Sequence, residues 1–327
     1  MYACVLEQVG KPLRLLERPA LVAGAGQLRL SVQACAVCRT DLHVIDGDLP
    51  AVPLPVVPGH EIVGRIVGMG EGVTGWRMGD RVGVPWLGWA CGECAACARG
   101  AENLCPAARF TGYQLDGGFA SEALVDARFA LALPERYGDR EAAPLLCAGL
   151  IGWRALQAAG DAPCLGLIGF GAAAHIVAQV ARARGQEIYA FVRPGDVAAA
   201  RFARSLGAAW AGDSDQPPPR PLDAAIIFAP IGALVPLALR AIRPGGTVVC
   251  AGIHMSDIPA FPYSTLWGER VLRSVANLTR QDARDFLDFS AGHSIATTTV
   301  GYPLSGANTA LADLRAGRLS GAAVLQP

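Results

Sequence analysis

The chain lacks any surplus of charge. Its 28 basic and 28 acidic residues cancel, and charged residues make up only 17 % of the 327 positions. A nucleic-acid backbone or an anionic membrane surface would find no electrostatic footprint on it. Nor does the uncharged run at 224–239 suffice for a membrane span. It carries Pro230, Gly232 and Pro236 and falls short of the ~20 apolar residues a spanning helix needs. No repeat of solenoid length recurs. The opening stretch, MYACVLEQVGKP, has no basic segment leading into an apolar core, so export is not expected and the cytoplasm is. Disorder is excluded by an apolar content of 52 %, and the length suits about two domains.

What the chain does have is cysteine, ten residues in all. These could be small buried thiols, a disulfide framework or metal ligands, and spacing separates the three. Cys91-Gly-Glu-Cys94-Ala-Ala-Cys97 is followed, after seven residues, by Cys105. Four thiolates in so short a loop can close a tetrahedron on one ion, and zinc at ~2.3 Å from each sulfur is the usual occupant. Two disulfides are the other way to use the four, and the lack of an export signal weighs against them. With every corner a thiolate, no position is open for chemistry. Such an ion is structural and stiffens a loop with little core of its own.

A looser group is spread along the chain. It comprises Cys38 in Cys38-Arg39-Thr40-Asp41-Leu42-His43, then Gly59-His60-Glu61, then Cys147 in Leu145-Leu146-Cys147-Ala148-Gly149. Two cysteines and one histidine form a ligand set for catalytic zinc that keeps the fourth place for water.

Texture divides the chain. The first ~145 residues are rich in Gly, Pro and Val, with strands expected at 27–34 and Glu61–Met69. From about residue 142 an Ala-rich helix is expected at 142–159, then a strand at 165–169 and a helix at 172–184 with basic residues at its end. Strands at Glu187–Val192, 224–228 and 246–251 and a helix at 198–206 follow, the last strand after the turn Arg243-Pro244-Gly245. The segment Gln216-Pro217-Pro218-Pro219-Arg220-Pro221 reads as a stiff surface connection. After a helix near 282–289 the β-rich texture returns. Alternating strands and helices imply a parallel sheet with right-handed crossovers. The expected plan is an α/β domain at 148–277 inserted into a β-rich domain made of 1–147 and 278–327.

At the first strand of that α/β stretch, Gly169-Phe170-Gly171-Ala172-Ala173-Ala174 opens a helix in the pattern G-x-G-x-x-A. Gly169 permits the tight turn, Gly171 lets the backbone approach a pyrophosphate at the helix N-terminus, and Ala174 takes the third place. An NAD site usually has an acidic residue ~20 positions on. Here Val192 and Arg193 stand at the end of the next strand. No carboxylate there repels a 2′-phosphate and Arg193 can pair with one, so NADP(H) is favoured over NAD(H). In the other reading Arg193 stacks on adenine and Asp196 supplies the carboxylate for NAD.

In order and spacing, Cys38-Arg39-Thr40-Asp41-Leu42-His43, Pro58-Gly59-His60-Glu61, Gly79-Asp80-Arg81-Val82, the four-cysteine loop and Asp116-Gly117-Gly118-Phe119-Ala120 closely resemble the zinc-dependent medium-chain alcohol dehydrogenases. The resemblance runs through nearly the whole chain. It implies an α/β protein with a β-rich, GroES-like catalytic domain and an inserted Rossmann dinucleotide-binding domain. It further implies Cys38, His60 and Cys147 as catalytic zinc ligands, beside structural zinc on Cys91, Cys94, Cys97 and Cys105. Glu61 becomes a carboxylate able to approach the ion when water exchanges, and Asp41 the partner of His60. Thr40 takes the alcohol proton and His43 is the solvent end of the relay, unless His43 is an ordinary surface histidine. Arg280 and Arg39 reach the pyrophosphate. Val192 stands at the family's acidic position. Trp86 and Leu49 are pocket walls or, alternatively, ordinary core, and Trp89 reads as core.

The activity implied is zinc-dependent hydride transfer between a small primary alcohol or aldehyde and a nicotinamide cofactor, in a homodimer or homotetramer joined near 270–276. The alternatives are a zinc-independent quinone or enone reductase on the same scaffold and a non-enzymatic, nucleotide-binding zinc protein. One departure is Leu150-Ile151, where relatives often have Val-Thr, which removes a hydroxyl expected near the nicotinamide. Cys4, Cys35, Cys164 and Cys250 are left as small core residues.

Overall fold

The computed structural model describes residues 1–50, 52–319 and 321–327. The chain divides into two compact units, one of Met1–Cys147 with Leu278–Pro327 and one of Ala148–Asn277.

In the first unit the organising element is the strand Gln27–Val37. Its first residues alternate, with Leu28, Leu30, Val32 and Ala34 buried and their neighbours partly exposed, as in a sheet with one wet face. From Ala34 onward every residue is buried. There the strand pairs with Glu61–Met69 on one side and Ala322–Gln326 on the other, which explains why it runs three residues past the expected end at 34. Glu122–Asp126, Arg81–Val84, Leu131–Ala132 and Thr299–Pro303 complete the sheet, which is antiparallel except for the pairing of Thr299–Pro303 with Ala322–Gln326. Phe119, Ile62, Ile66 and Val82 lie in its core. The four-cysteine loop has only a small apolar cluster of its own: Leu87, Ala90, Cys105 and Phe129.

The second unit is a six-stranded parallel sheet. Its spatial order is Trp210–Asp213, Glu187–Val192, Cys164–Ile168, Leu222–Ile227, Ile242–Cys250, Val271–Ser274. The order reverses between Cys164–Ile168 and Leu222–Ile227, the switch point at whose carboxyl end such sheets bind ligands. Cys164–Ile168 is buried along its whole length and Leu222–Ile227 at every residue but Asp223, which is why they read as apolar runs. Helices Ala172–Ala183 and Val197–Ser205 make the first two crossovers. The third, residues 214–221, is the proline-rich stretch and contains no helix.

The helix expected at 142–159 is broken. The chain forms a turn of helix at Asp139–Ala142 and a 3-10 turn at Ala143–Leu146, and the next helix starts at Ala148. Pro144 removes one backbone donor here. Cys147 at the break has φ −128° and ψ −68°, outside helical geometry. Among the described residues no single helix is long and apolar enough to cross a membrane.

Candidate active site

Cys38 is the N-cap of the helix Arg39–Asp46, with its Sγ accepting from the Thr40 amide at 3.3 Å. Asp41, in the first turn, is the hub of the site. Its Oδ2 accepts from the Cys38 amide at 2.8 Å and so closes the cap. Its Oδ1 accepts from the Gly59 amide at 3.2 Å and from His60 Nδ1 at 2.9 Å. One fully buried carboxylate thus ties the helix start to the segment carrying His60. With Nδ1 committed to Asp41, Nε2 is the ring nitrogen left to act as a ligand, and it lies 3.3 Å from Cys38 Sγ.

The glycine motifs explain how His60 is placed. Gly59 has φ +98°, and a Cβ there would meet Phe119 at 2.4 Å. A Cβ on Gly117 would meet the Gly59 carbonyl oxygen at 2.1 Å. That close approach lets the amides of Gly117, Gly118 and Phe119 donate to the carbonyls of Val57, Gly59 and Pro58. Asp116 Oδ1 accepts from the Val57 amide at 2.9 Å. The segment before His60 is therefore clamped by the Asp116–Phe119 loop.

Cys147 supplies the third sulfur or nitrogen donor, its Sγ 3.9 Å from that of Cys38. Ligand atoms of Cys38, His60, Glu61 and Cys147 all lie within 4.8 Å of one another. Two sulfurs bound tetrahedrally at ~2.3 Å to one zinc stand about 3.8 Å apart, so the donor set fits that ion. Its electrostatics agree. The neighbouring Cys147 thiol and burial push the Cys38 thiol well above its ordinary range. Burial, then Cys38, does the same to Glu61. Burial opposes a charge on His60, but Asp41 and Cys38 outweigh it and hold its pKa well above the usual value. Thiols and a carboxyl whose ionisation is opposed by burial and by one another are the environment in which a divalent cation favours the anionic forms.

Around this cluster, Trp86 meets His60 edge-on at 5.0 Å between ring centroids. It stacks on Phe110 at 5.2 Å and on Tyr113 at 5.9 Å, and is 3 % exposed. Tyr113 donates its hydroxyl to the Pro50 carbonyl. Leu49 packs partly buried against the same core. Thr40 lies on the first turn after Cys38, and Arg39 is exposed beside it. His43 Nδ1 bonds Asp48 Oδ2 at 2.8 Å, and its side chain is mostly buried.

The second cluster sits in the four-cysteine loop. Cys91 Sγ lies 3.9 Å from Cys97 Sγ and 3.5 Å from Cys105 Sγ, and all four ligand atoms lie within 4.8 Å. Amides of Glu93 and Cys94 lower the Cys91 thiol to about 6, while burial raises Cys97 to about 12. Four sulfurs within 4.8 Å of one another, with no other donor grouped with them among the described residues, suit a closed zinc site.

In the second unit, Gly169 ends the strand Cys164–Ile168 with φ +88°, and a Cβ there would meet Ala229 at 2.8 Å. Gly171 precedes the helix Ala172–Ala183 with nothing within 4 Å of its missing Cβ and no side chain capping the helix. Ala174 is fully buried. The turn thus leaves open space and unpaired amides at a helix N-terminus, where a pyrophosphate fits. Val192 is buried and Arg193 is exposed. Asp196 is committed as the N-cap of Val197–Ser205, its Oδ1 accepting from the Ala199 amide at 2.9 Å.

Arg280 is held by a residue that sequence reasoning passed over. Glu102, between Cys97 and Cys105, accepts from the Arg280 amide at 3.1 Å and from its Nε at 2.9 Å. The only signal for it in the sequence is one acidic residue among small and apolar ones in Ala101-Glu102-Asn103-Leu104-Cys105.

Residues 24–135 match the alcohol dehydrogenase GroES-like domain family. A protein of Mycobacterium tuberculosis named "Probable alcohol dehydrogenase AdhA" is 52 % identical over 307 residues, covering 91 % of this chain and 88 % of its own. An alcohol dehydrogenase of Moraxella sp. is 35 % identical over 336 residues, covering 99 % of both. The solved structure of a cobalt- and zinc-bound thermostable alcohol dehydrogenase from Pyrobaculum aerophilum superposes with a TM-score of 0.91 at 26 % identity, over 100 % of this chain and 99 % of that one.

Proposed function

This chain belongs to the zinc-type medium-chain alcohol dehydrogenase family, and from that premise we propose that it is zinc-dependent and moves a hydride between a primary alcohol or aldehyde and NADP(H). That it is an oxidoreductase acting on alcohols follows from the family. The observation that carries the rest is the convergence of Cys38, His60 and Cys147 around a carboxylate, Asp41, that orients the histidine.

Cys38, His60 and Cys147 would hold the catalytic zinc, with Glu61 close enough to enter during exchange. Cys91, Cys94, Cys97 and Cys105 would hold the structural one. Bound zinc supplies Lewis acidity and the nicotinamide supplies or accepts the hydride. The chain's own residues do the remainder. Asp41 keeps the proton of His60 on Nδ1 and so keeps Nε2 free as a ligand. Thr40 takes the proton of the substrate hydroxyl and His43 passes it toward solvent, with Asp48 steadying the ring. Trp86 and Leu49 form an apolar wall that suits an uncharged carbon tail.

Gly169, Gly171 and Ala174 shape the turn for the pyrophosphate. Arg193 would pair with the 2′-phosphate, a reading supported by the capping role that occupies Asp196. Ten unpaired cysteines suit the reducing cytoplasm. Self-association into a dimer or tetramer is supported by the edge strand Val271–Ser274, beside which Tyr263 and Trp267 are 73 % and 67 % exposed.

Removing the metal with a chelator tests the mechanism. Turnover on a panel of alcohols and aldehydes should vanish and return with zinc, and activity that survives full metal loss would establish the zinc-independent reductase instead. Arg193→Ala should cut the preference for NADPH over NADH by about tenfold in kcat/KM. An unchanged preference would remove Arg193 from the cofactor site.

A further inference from the structure

Tyr113 is a buried phenol that the proton and hydride steps leave unused. It is 6 % exposed, and a tyrosine so placed needs a partner for its hydroxyl. Its ring lies within 7° of parallel to Trp86, which in turn meets His60 edge-on. Its hydroxyl donates to the carbonyl of Pro50, 63 residues earlier in the chain. The turn that carries Tyr113 is itself fixed. The Thr111 amide donates to the Trp86 carbonyl at 2.8 Å, and the Gly112 amide to that of Leu115 at 2.8 Å. Gly112 has φ +75°, and a Cβ there would meet the Gly59 amide nitrogen at 2.7 Å. Tyr113 therefore stands on backbone pressed against the residue that precedes His60.

The segment it reaches is the one that carries Leu49. The helix Arg39–Asp46 ends at Gly47, which has φ +80°. Just beyond, Asp48 and Pro50 are exposed, and Leu49 between them is partly buried against the main core. Asp48 is bound back to the helix twice. Its amide donates to the His43 carbonyl at 3.0 Å, and its Oδ2 bonds His43 Nδ1 at 2.8 Å. Pro50 has no N–H to offer, and its carbonyl is tied to Tyr113. Leu49 is thus bracketed. One neighbour is held by the helix that bears Thr40, the other by the aromatic rings beside His60. All of these residues belong to one compact unit. A side chain whose backbone is fixed on both sides stays at a defined depth, and a wall that does not yield rejects a wide ligand by clash.

We infer that Tyr113 is a positioning residue for substrate selectivity: by strapping Pro50 to the rings beside His60, it holds Leu49 as a rigid wall and limits the width of the alcohol accepted. This rests on the reading of Leu49 as a pocket wall. Tyr113 acts through Leu49 and takes no part in moving the proton or the hydride.

The test compares ethanol with benzyl alcohol on the zinc-loaded enzyme, two primary alcohols that differ in width beside the reacting carbon. Tyr113→Phe keeps the ring and removes the bond to Pro50. It should raise the benzyl-to-ethanol ratio of kcat/KM roughly fivefold, through a lower KM for benzyl alcohol, while kcat on ethanol moves less than about twofold. Leu49→Ala should raise the ratio at least as far. In that background Tyr113→Phe should add nothing, because the wall it would release is gone. An unchanged ratio in Tyr113→Phe beside a raised one in Leu49→Ala overturns the inference, and so does a further rise in the double variant. If Leu49→Ala itself leaves the ratio unchanged, the wall reading of Leu49 is what fails, and the inference falls with it. A role in stability alone predicts a lower melting temperature with the ratio unmoved, which calorimetry on the same samples reads. Metal analysis should find about two zinc ions per chain in every variant, so that a shifted ratio reports the wall and not a lost ion.

Discussion

Two clusters of cysteine sit in one compact unit and are built in opposite ways. In the loop, Cys91, Cys94, Cys97 and Cys105 come from 15 consecutive residues, and only a thin apolar cluster lies beneath them. In the other, Cys38, His60 and Cys147 come from a helix cap, a segment before a strand and a broken helix; Leu42 and Ile62 anchor the first two in the main core, and Leu146 beside the third packs over Gly83 of the sheet. The first cluster has four thiol donors, with backbone amides rather than a side chain turned on Cys91. The second has three donors, an adjacent carboxylate in Glu61 and a second in Asp41 that fixes the histidine ring. A contiguous set needs a metal to fold the segment that bears it. A dispersed set is held by the fold already, so it can leave one coordination place open. The contrast separates a site that stabilises from one that reacts.

Substituting one ligand in each cluster should therefore give opposite profiles. Cys38→Ser should lower turnover by roughly a thousandfold, the equivalent of about 4 kcal/mol of transition-state stabilisation. Bound zinc should fall from about two ions per chain to about one, with little change in melting temperature. Metal analysis beside steady-state kinetics and calorimetry reads all three. Cys97→Ser should do the reverse, with the same loss of one zinc, a melting temperature lower by about 5–10 °C and kcat within about threefold. A Cys38→Ser protein that melted early but kept its turnover would abolish the distinction.

How legible each cluster is in the sequence follows from the same difference. Four cysteines at short, regular intervals announce a closed site by spacing alone. Cys147 announces nothing: it lies 109 residues from Cys38, inside a stretch that reads as one apolar helix. The break that presents its thiol depends on Pro144 and on core contacts of Leu145 and Leu146, which are tertiary facts. Residue types alone offered it as one member of a dispersed two-cysteine, one-histidine set, and the resemblance of the whole motif order strengthened that grouping. The parallel sheet was legible because strands buried on both faces carry continuous apolar runs between helical periods. Its edges were not. Ile242–Cys250 starts before the Arg243-Pro244-Gly245 turn, since pairing with Leu222–Ile227 extends it beyond what local pattern indicates. Glu102 was missed because its meaning is a contact with Arg280 across 178 residues, and a lone acid in a loop carries no trace of that.

The smallest expected effect tests the edge of the dispersed cluster. Cys35 lies three residues before Cys38, so spacing alone leaves it as a rival ligand. The structure turns it the other way: it is fully buried, with its Sγ 3.7 Å from the Ala36 carbonyl oxygen. A Cβ added at Gly59 or Gly118 would come within 2.9 Å or 3.0 Å of that sulfur, so it fills the narrow space between the two glycine motifs. Its work is packing, next to the clamp that sets His60. Cys35→Ala should leave about two zinc ions per chain and turnover within about twofold. It should cost about 1 kcal/mol in unfolding free energy, the scale for removing one buried heavy atom. Loss of one zinc with retention of fold would place Cys35 in the ligand set and displace Cys38 or Cys147 from it. A loss of turnover with both zincs retained would instead show that the clamp, and not the metal, is the sensitive part of the dispersed site.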